Sequence, residues 1–299
     1  MKNILQNSLA LAATALVLTA AASRAQTAYA LSNGGTTLIS FDLATPGVVT
    51  TIGGFDGPAT RLDGIDFRPA DGRLYGYSQV NNRVVSINLT NALTTLVATP
   101  AVASTTNNLG IDFNPAADRL RLVNTLDQNL RINLANGAVL DDLTTLAFAA
   151  GDPNFGINPT INEAAYTNND NNPVTGTTLF YIDPNLDILV STINPNAGSL
   201  MTVGALGVNA GELTGFDILT NINGVNTAYA LLTTGGAPSL YTVNLNTGAA
   251  TAVGAITGAV RPFSLAIVAP VPEPGTLLFG FALAGVGLTR RARKSAPRA

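Results

Sequence analysis

Three aspartates recur at matching places in three similar segments of the chain. Asp66 and Asp112 each follow Gly-Ile and precede Phe, and Asp217 follows Gly-Phe. Because repeated segments fold alike, we expect the three carboxylates to converge near the centre of the fold. Carboxylate oxygens are the ligands that a hard cation such as calcium prefers. The three residues are therefore candidate metal ligands.

A structural role explains the same repetition more simply. A repeated Asp at a strand end accepts hydrogen bonds from backbone N–H groups or pairs with a repeated Arg, and Arg73 and Arg119 recur in the same segments. Repetition in several units indicates a requirement of the fold rather than a single site. We favour this interpretation and leave the cation site open.

A second oxygen-rich segment surrounds Asp170, in the run Asn168-Asn-Asp-Asn-Asn172. It lacks the glycine and the terminal glutamate of an EF-hand loop, so a solvated insertion fits better than a calcium loop. Asp141 and Asp142 are adjacent, and neighbouring residues of a strand point to opposite faces. A paired acid and base role for them is therefore disfavoured.

Glu163 and Glu212 are the only glutamates between residues 26 and 270, and each precedes a predicted strand. A glycosidase needs two carboxylates ~5–10 Å apart across a sugar, a distance that sequence does not give. Aromatic side chains could stack on sugars, although tyrosines that alternate along strands usually belong to the core. The tyrosines in question are Tyr75, Tyr77, Tyr166, Tyr181 and Tyr241.

Several classes of chemistry are excluded by composition. The chain has no Cys and no His, so it has no disulfide, no thiolate nucleophile and no Ser-His-Asp triad. We find no phosphate-binding glycine motif. Residues 26–270 contain 8 Arg, no Lys and 17 acidic residues, a net charge of −9. Such a body disfavours nucleic acid as a partner.

Short β-strands must position these residues. Gly64 and Gly110 are 46 positions apart, and similar sets of four strand-like runs, bounded by Gly, Asn, Pro and Asp, fill the body of the chain. The first set has three strands, and a last strand from Pro262 to Val268 has no successor. If this last strand completes the first set, the chain closes a ring.

The sequence thus predicts an all-β fold, a β-propeller of about five four-stranded blades closed by the C-terminal strand. The first strand of each blade should line the central channel, which would bring the repeated aspartates together. An open β-sandwich or a solenoid is the alternative that the strand pattern leaves.

The first 25 residues resemble a secretory signal peptide in their charge and hydropathy. Lys2 precedes an apolar run from Leu9 to Ala22, and small residues stand before the predicted cleavage between Ala25 and Gln26. A short membrane anchor is the alternative. We therefore assign residues 1–25 to the signal peptide and residues 26–270 to the propeller.

Residues 271–299 have a different character. Pro272-Glu273-Pro274 is followed by an apolar stretch at residues 277–289 and then by a basic cluster with Arg290, Arg291 and Arg293. As a helix the apolar stretch is ~20 Å long, short for a bilayer core of ~30 Å, although snorkelling arginines help it to insert. A plain C-terminal anchor is the alternative.

This three-part tail resembles the PEP-CTERM sorting signal of Gram-negative bacteria. The resemblance implies a transient anchor in the inner membrane, cleavage near Pro272-Glu273-Pro274 by an exosortase-type protease, and release to the cell surface or an exopolysaccharide matrix. The predicted signal peptide implies the secretion translocon as a further partner. The repeats around Gly64-Ile-Asp-Phe-Arg-Pro also resemble an uncharacterised domain family of secreted bacterial proteins. That second resemblance implies no activity.

We therefore expect an exported, non-catalytic structural or binding module of the matrix, with exopolysaccharide as a partner and no cofactor unless calcium binds. An extracellular hydrolase or lyase that uses Asp and Glu on carbohydrate is the main alternative. A calcium-stabilised adhesin is a third hypothesis, in which a chelator would lower the thermal stability.

Overall fold

The computed structural model describes residues 26–141, 145–170, 172, 174–212, 214–258 and 261–269. Within these residues the chain forms five β-sheets arranged as the blades of a propeller, with no α-helix and two short 3-10 turns, Asn33–Gly35 and Pro195–Ala197. The predicted five-bladed all-β fold is confirmed. The predicted signal peptide and the sorting tail with its helix lie outside the described residues.

We number the blades by their order along the chain, with the innermost strand given first. Blade 1 consists of β21 Phe263–Ile267, β1 Thr27–Ser32, β2 Thr37–Asp42 and β3 Thr45–Gly54. Blade 2 consists of β4 Gly64–Arg68, β5 Arg73–Ser78, β6 Arg83–Ile87 and β7 Thr94–Ala98.

The three remaining blades follow the same order from the axis outwards. Blade 3 consists of β8 Leu109–Asn114, β9 Arg119–Asn124, β10 Asn129–Ile132 and β11 Val139–Asp141. Blade 4 consists of β13 Glu163–Tyr166, β14 Leu179–Asp183, β15 Ile188–Asn194 and β16 Ser199–Ala205, with β12 Ala147–Phe148 added outside. Blade 5 consists of β17 Gly215–Thr220, β18 Asn226–Thr234, β19 Ala237–Val243 and β20 Ala250–Ala255.

The last strand closes the ring, as the strand count predicts. β21 pairs antiparallel with β1, and Tyr29 stands opposite Ala266. The innermost strands of adjacent blades contact one another around the axis. Closure joins the N-terminal and C-terminal parts of the chain in one blade and pairs the inner edge of β1.

Apolar side chains fill the spaces between neighbouring blades. One cluster joins blades 1 and 2 through Leu31, Ile65 and Leu74, and another joins blades 4 and 5 through Ile182 and Phe216. Alternate strand residues point to opposite faces, so each blade presents an apolar face to both neighbours. Stacking of these faces accounts for the apolar content of a chain with few charges.

The segment after blade 3 departs from the expectation. The Gly, Pro and Asn content of residues 146–160 predicts a loop, yet Ala147–Phe148 forms a short strand that pairs in parallel with β16. The pairing is non-local, and the two-residue strand is too short to give a periodic signal in the sequence. The predicted insertion around Asp170 belongs to the connection between β13 and β14.

Candidate functional site

The recurrent aspartates hold neighbouring blades together at the axis. Asp66 of blade 2 accepts a hydrogen bond from the backbone N–H of Phe113 in blade 3, at 2.7 Å. Asp112 of blade 3 accepts one in the same way from Tyr166 in blade 4, at 3.1 Å. Each carboxylate therefore satisfies a buried backbone donor of the next inner strand.

Blade 5 repeats this contact, and the other two junctions use a different residue. Asp217 accepts from the Ile267 N–H at 2.6 Å. Blades 4 and 1 carry Ala165 and Ala266 at the aspartate position, as the pairing registers show. An acceptor two residues earlier replaces the missing carboxylate in each.

Glu163 is this acceptor in blade 4, and its carboxylate receives the Phe216 N–H of blade 5. In blade 1 the hydroxyl oxygen of Ser264 accepts from the Ile65 N–H of blade 2, at 2.9 Å. All five junctions between the described blades thus have one side-chain acceptor for a backbone donor. The favoured structural interpretation of the aspartates has a physical basis in these contacts.

Of the two structural roles considered, the structure shows the first. Asp66 and Asp112 accept backbone hydrogen bonds and do not pair with Arg73 and Arg119. Arg73 is exposed, and Arg119 donates to backbone carbonyls, including that of Asp118 at 2.9 Å. Repetition in the sequence shows that two residue types recur together but does not show that their side chains meet.

The three carboxylates also lie close to one another. An oxygen from each of Asp66, Asp112 and Asp217 lies within 4.8 Å of the other two, and all three residues are buried. Burial, and then the charge of Asp217, raise the pKa of Asp66 well above its usual value. Burial likewise raises the pKa of Asp217 to about 7. In this axial cluster, carboxyl groups that keep their protons to higher pH repel one another less than three carboxylates would.

Whether the axial cluster holds a cation stays a prediction. Its oxygens suit a hard metal, but the same three carboxylates already accept backbone hydrogen bonds. Asp170, the other predicted metal residue, is not part of the cluster. It lies in the exposed connection of blade 4, where it accepts from the Asn172 N–H and the Thr175 hydroxyl.

A cavity of about 280 Å³ opens at one end of the axis, on the face where the inner strands begin. We call it the mouth cavity. Each of the five blades contributes at least one residue at its inner strand's start, and one from each blade forms a ring of Asp63, Leu109, Asn162, Thr214 and Phe263. The ring is largely polar because only two of its five members are apolar.

The mouth cavity unites the two glutamates that stand far apart in the sequence. Both Glu163 and Glu212 line it, together with Asp63 and Arg61. Burial raises the pKa of Glu163 well above its usual value. Burial also raises the pKa of Asp63, which pairs with Arg61 at 2.6 Å. The cavity thus combines a buried carboxyl group with a raised pKa, a cation and neutral amides.

A second cavity, of about 400 Å³, lies beside the first and shares Asn108 and Glu212 with it. The second cavity continues towards the outer part of blade 4, where Asn185 and Asn209 line it. Together the two cavities form what we call the mouth groove. Its walls are rich in amide and carboxylate groups, which hydrogen-bond readily to hydroxyl groups.

The remaining predicted residues do not contribute aromatic faces. All five tyrosines considered for sugar stacking are buried, and the most exposed of them, Tyr241, is 8% exposed. Asp141 ends β11, and Asp142 lies outside the described residues. Also outside them are Ala25 and the sorting residues Pro272, Glu273, Pro274, Arg290, Arg291 and Arg293, whereas Gln26 donates to the Val268 carbonyl.

Sequence reasoning missed most of the mouth groove. Asn108 and Asn162 lie in polar runs before inner strands, but asparagine is common throughout this chain. A usable signal existed, since residues immediately before each repeated Gly-x-Asp must occupy equivalent places around the axis. Comparing those positions between repeats would have identified Asp63 and Thr214.

Distant similarities to solved structures exist. The Kuenenia stuttgartiensis hydrazine synthase is 12% identical with a TM-score of 0.40, and the match covers 68% of this chain and 49% of that chain, about half its length. A chain of a nidogen/laminin complex is 12% identical with a TM-score of 0.47, and the match covers 81% of this chain and 98% of that chain. A Bacteroides thetaiotaomicron protein of unknown function is 14% identical with a TM-score of 0.47, and the match covers 77% of this chain and 58% of that chain.

Similarities this distant say nothing about function. Comparison with curated proteins gives no match. The sequence family described as Domain of unknown function (DUF4394) matches residues 37–266, and the PEP-CTERM protein-sorting motif matches residues 270–294. The motif implies an exported protein that is sorted by exosortase and processed at a membrane. Within the part of the chain that the structure describes, no helix is long and apolar enough to span a membrane.

Proposed function

Because the chain belongs to the DUF4394 family of domains of unknown function and carries a PEP-CTERM sorting motif, we propose that it is an exported, non-catalytic module that binds a matrix polysaccharide. The mouth groove is the binding site in this proposal. Its ligand is a neutral polysaccharide chain at the cell surface or in the extracellular matrix.

The observation that carries the proposal is the continuity of the two polar cavities. A polymer needs an extended site, and the mouth groove extends from the axis towards the edge of blade 4 through the shared residues Asn108 and Glu212. Amide groups both donate and accept hydrogen bonds, as sugar hydroxyls require. Phe263 is the single aromatic residue among the described residues that line the groove, which favours recognition by hydrogen bonding over stacking.

Binding of the purified full-length protein to a panel of bacterial exopolysaccharides tests this function. Asn108 is exposed and lies where the cavities join, so Asn108→Ala should weaken binding up to about tenfold through the loss of one or two hydrogen bonds. The matched control Asn223→Ala removes an exposed asparagine that does not line the groove and should bind normally. Equal affinities of the two variants, or no binding to any polysaccharide, would refute the proposal.

One observation favours a second candidate, a carbohydrate-active hydrolase or lyase. Glu163 has the raised pKa of a general acid and shares the mouth cavity with Asp63 and Glu212. Release of reducing ends or unsaturated sugars from the same panel would show such an activity, and Glu163→Gln should then abolish it. Binding without product release favours the non-catalytic function.

A further inference from the structure

A third cavity, lined by arginines and by no acidic residue, lies between blades 3 and 4, on the propeller face away from the mouth. It has a volume of about 90 Å³, far more than the ~10–15 Å³ that one water requires. Three arginines line it: Arg119, Arg121 and Arg131. They are three of only eight arginines between residues 26 and 270. We call it the arginine cavity.

The arginines interrupt a pattern that the other blades share. Opposite the aspartate or alanine position, the second strand of each other blade carries an aromatic residue, and the third strand carries Ser or Thr. These pairs are Tyr29 and Ser40, Tyr75 and Ser86, Phe180 and Ser191, and Tyr229 and Thr242. In blade 3 the equivalent residues are Arg121 and Arg131.

The aromatic member of each pair has a packing role. Tyr29 contacts Phe67 of the next blade edge to face, with ring centroids 5.7 Å apart, and Tyr75 contacts Phe113 at 5.3 Å. At the equivalent junction Arg121 meets Tyr166, and its Nε donates to the phenolic oxygen at 3.3 Å. The fold therefore accepts an aromatic residue here, and packing does not require an arginine.

The cavity is built as an ordered site. Arg121 is 1% exposed and forms the floor, where it donates to the amide oxygens of Asn129 at 2.8 Å and Asn196 at 2.9 Å. Arg119 and Arg131 are half-buried, and Asn196 is exposed at the rim. The neighbours thus fix the buried guanidinium, while the other two arginines have a path to solvent.

We propose that the arginine cavity binds an oxyanion group, such as the carboxylate of a uronic acid or a sulfate. Guanidinium groups present paired donors that match such oxygens, and three positive charges close together favour an anion between them. These three arginines stand together in a body, residues 26–270, whose net charge is −9. This site is separate from the mouth groove and stands whether or not that groove binds a polysaccharide.

Thermal unfolding of the full-length protein tests the proposal at constant ionic strength, with sodium chloride as reference. We expect each anion to bind with a dissociation constant in the millimolar range. Sodium sulfate or sodium glucuronate, at a concentration about ten times that constant, should then raise the Tm by roughly 3 °C. Neutral glucose should not. A shift with sulfate and none with glucuronate supports a site for free inorganic anions, and a shift with both supports one that also accepts acidic sugars.

Variants that restore the repeat make the test specific. Arg131→Ser introduces the residue that blades 1, 2 and 4 carry at this position, so the fold should tolerate it, and the Tm shift should disappear. Arg73→Ser removes one exposed arginine outside the cavity and should keep the shift. Because sulfate also stabilises proteins generally, only the difference between the variants is specific to the cavity. An equal Tm shift in Arg131→Ser, or no Tm shift in the unaltered protein with either anion, would overturn the proposal.

Discussion

The axial cluster should make the protein less stable as the pH rises from about 5 to about 8. Burial raises the pKa of Asp217 from 3.8 to about 7, so the folded state holds this proton more tightly than the unfolded chain. For a carboxyl group with a raised pKa, the stabilisation is complete below the unfolded pKa. It is lost as the pH rises through the folded pKa.

The magnitude follows from the two pKa values of Asp217. At 1.36 kcal/mol for each pH unit between 3.8 and about 7, the free energy of unfolding falls by roughly 4 kcal/mol in total. Roughly 3 kcal/mol of this loss falls between pH 5 and pH 8. Asp66, Asp112 and Glu163 also have raised pKa values and add to the loss in the same direction.

Two groups act in the opposite direction but in a different range of pH. Hydrogen bonds with Arg68 lower the pKa of Asp118, and hydrogen bonds with backbone N–H groups and the Thr202 hydroxyl outweigh burial to lower that of Asp152. Their stabilisation is present above the unfolded pKa and is lost in acid, below about pH 4. It therefore does not disturb the window from pH 5 to pH 8.

Urea unfolding followed by circular dichroism, with a chelator present, measures this dependence. Asp217→Asn removes the titrating group and should reduce the fall between pH 5 and pH 8 by roughly 3 kcal/mol. The exposed Asp56→Asn should leave the fall unchanged. A free energy of unfolding that is constant or rises over this range, or an equal fall in Asp217→Asn, would refute the reasoning.

Three further predictions concern the axis. Gly110→Ala should cost at least about 3 kcal/mol of unfolding free energy, because a Cβ there would lie 2.5 Å from the Glu163 Cα. The control Gly34→Ala should cost only about 1 kcal/mol, because Gly34 has open space around it and a φ of +66°. Ser264→Ala leaves the buried Ile65 N–H without its acceptor and should cost about 1–3 kcal/mol by urea unfolding, whereas a cost near zero would mean that this contact does not matter. Calcium should not change the Tm at about pH 5, where protons occupy the axial cluster, and a calcium-dependent rise there would show that a cation displaces them.

The sequence alone was sufficient for much of the fold. Alternating short runs bounded by Gly, Asn and Asp predicted strands, and the unmatched strand Pro262–Val268 predicted closure, because a four-stranded repeat with an incomplete first unit has few other solutions. The convergence of Asp66, Asp112 and Asp217 also followed from repetition, since equivalent positions in a ring face the same axis. These inferences depend on local pattern and symmetry, which sequence records directly.

Only the tertiary structure decided what the side chains do. The aspartates bind backbone N–H groups of the next blade rather than Arg73 and Arg119, and that choice depends on the stagger between inner strands. Glu163 and Ser264 replace two missing aspartates from a position two residues away, which no motif contains. Arg121 was visible in the sequence where the previous repeat has Tyr75. The sequence did not show that Arg121 and Arg131 line one cavity, because the register between their two strands had to be known first.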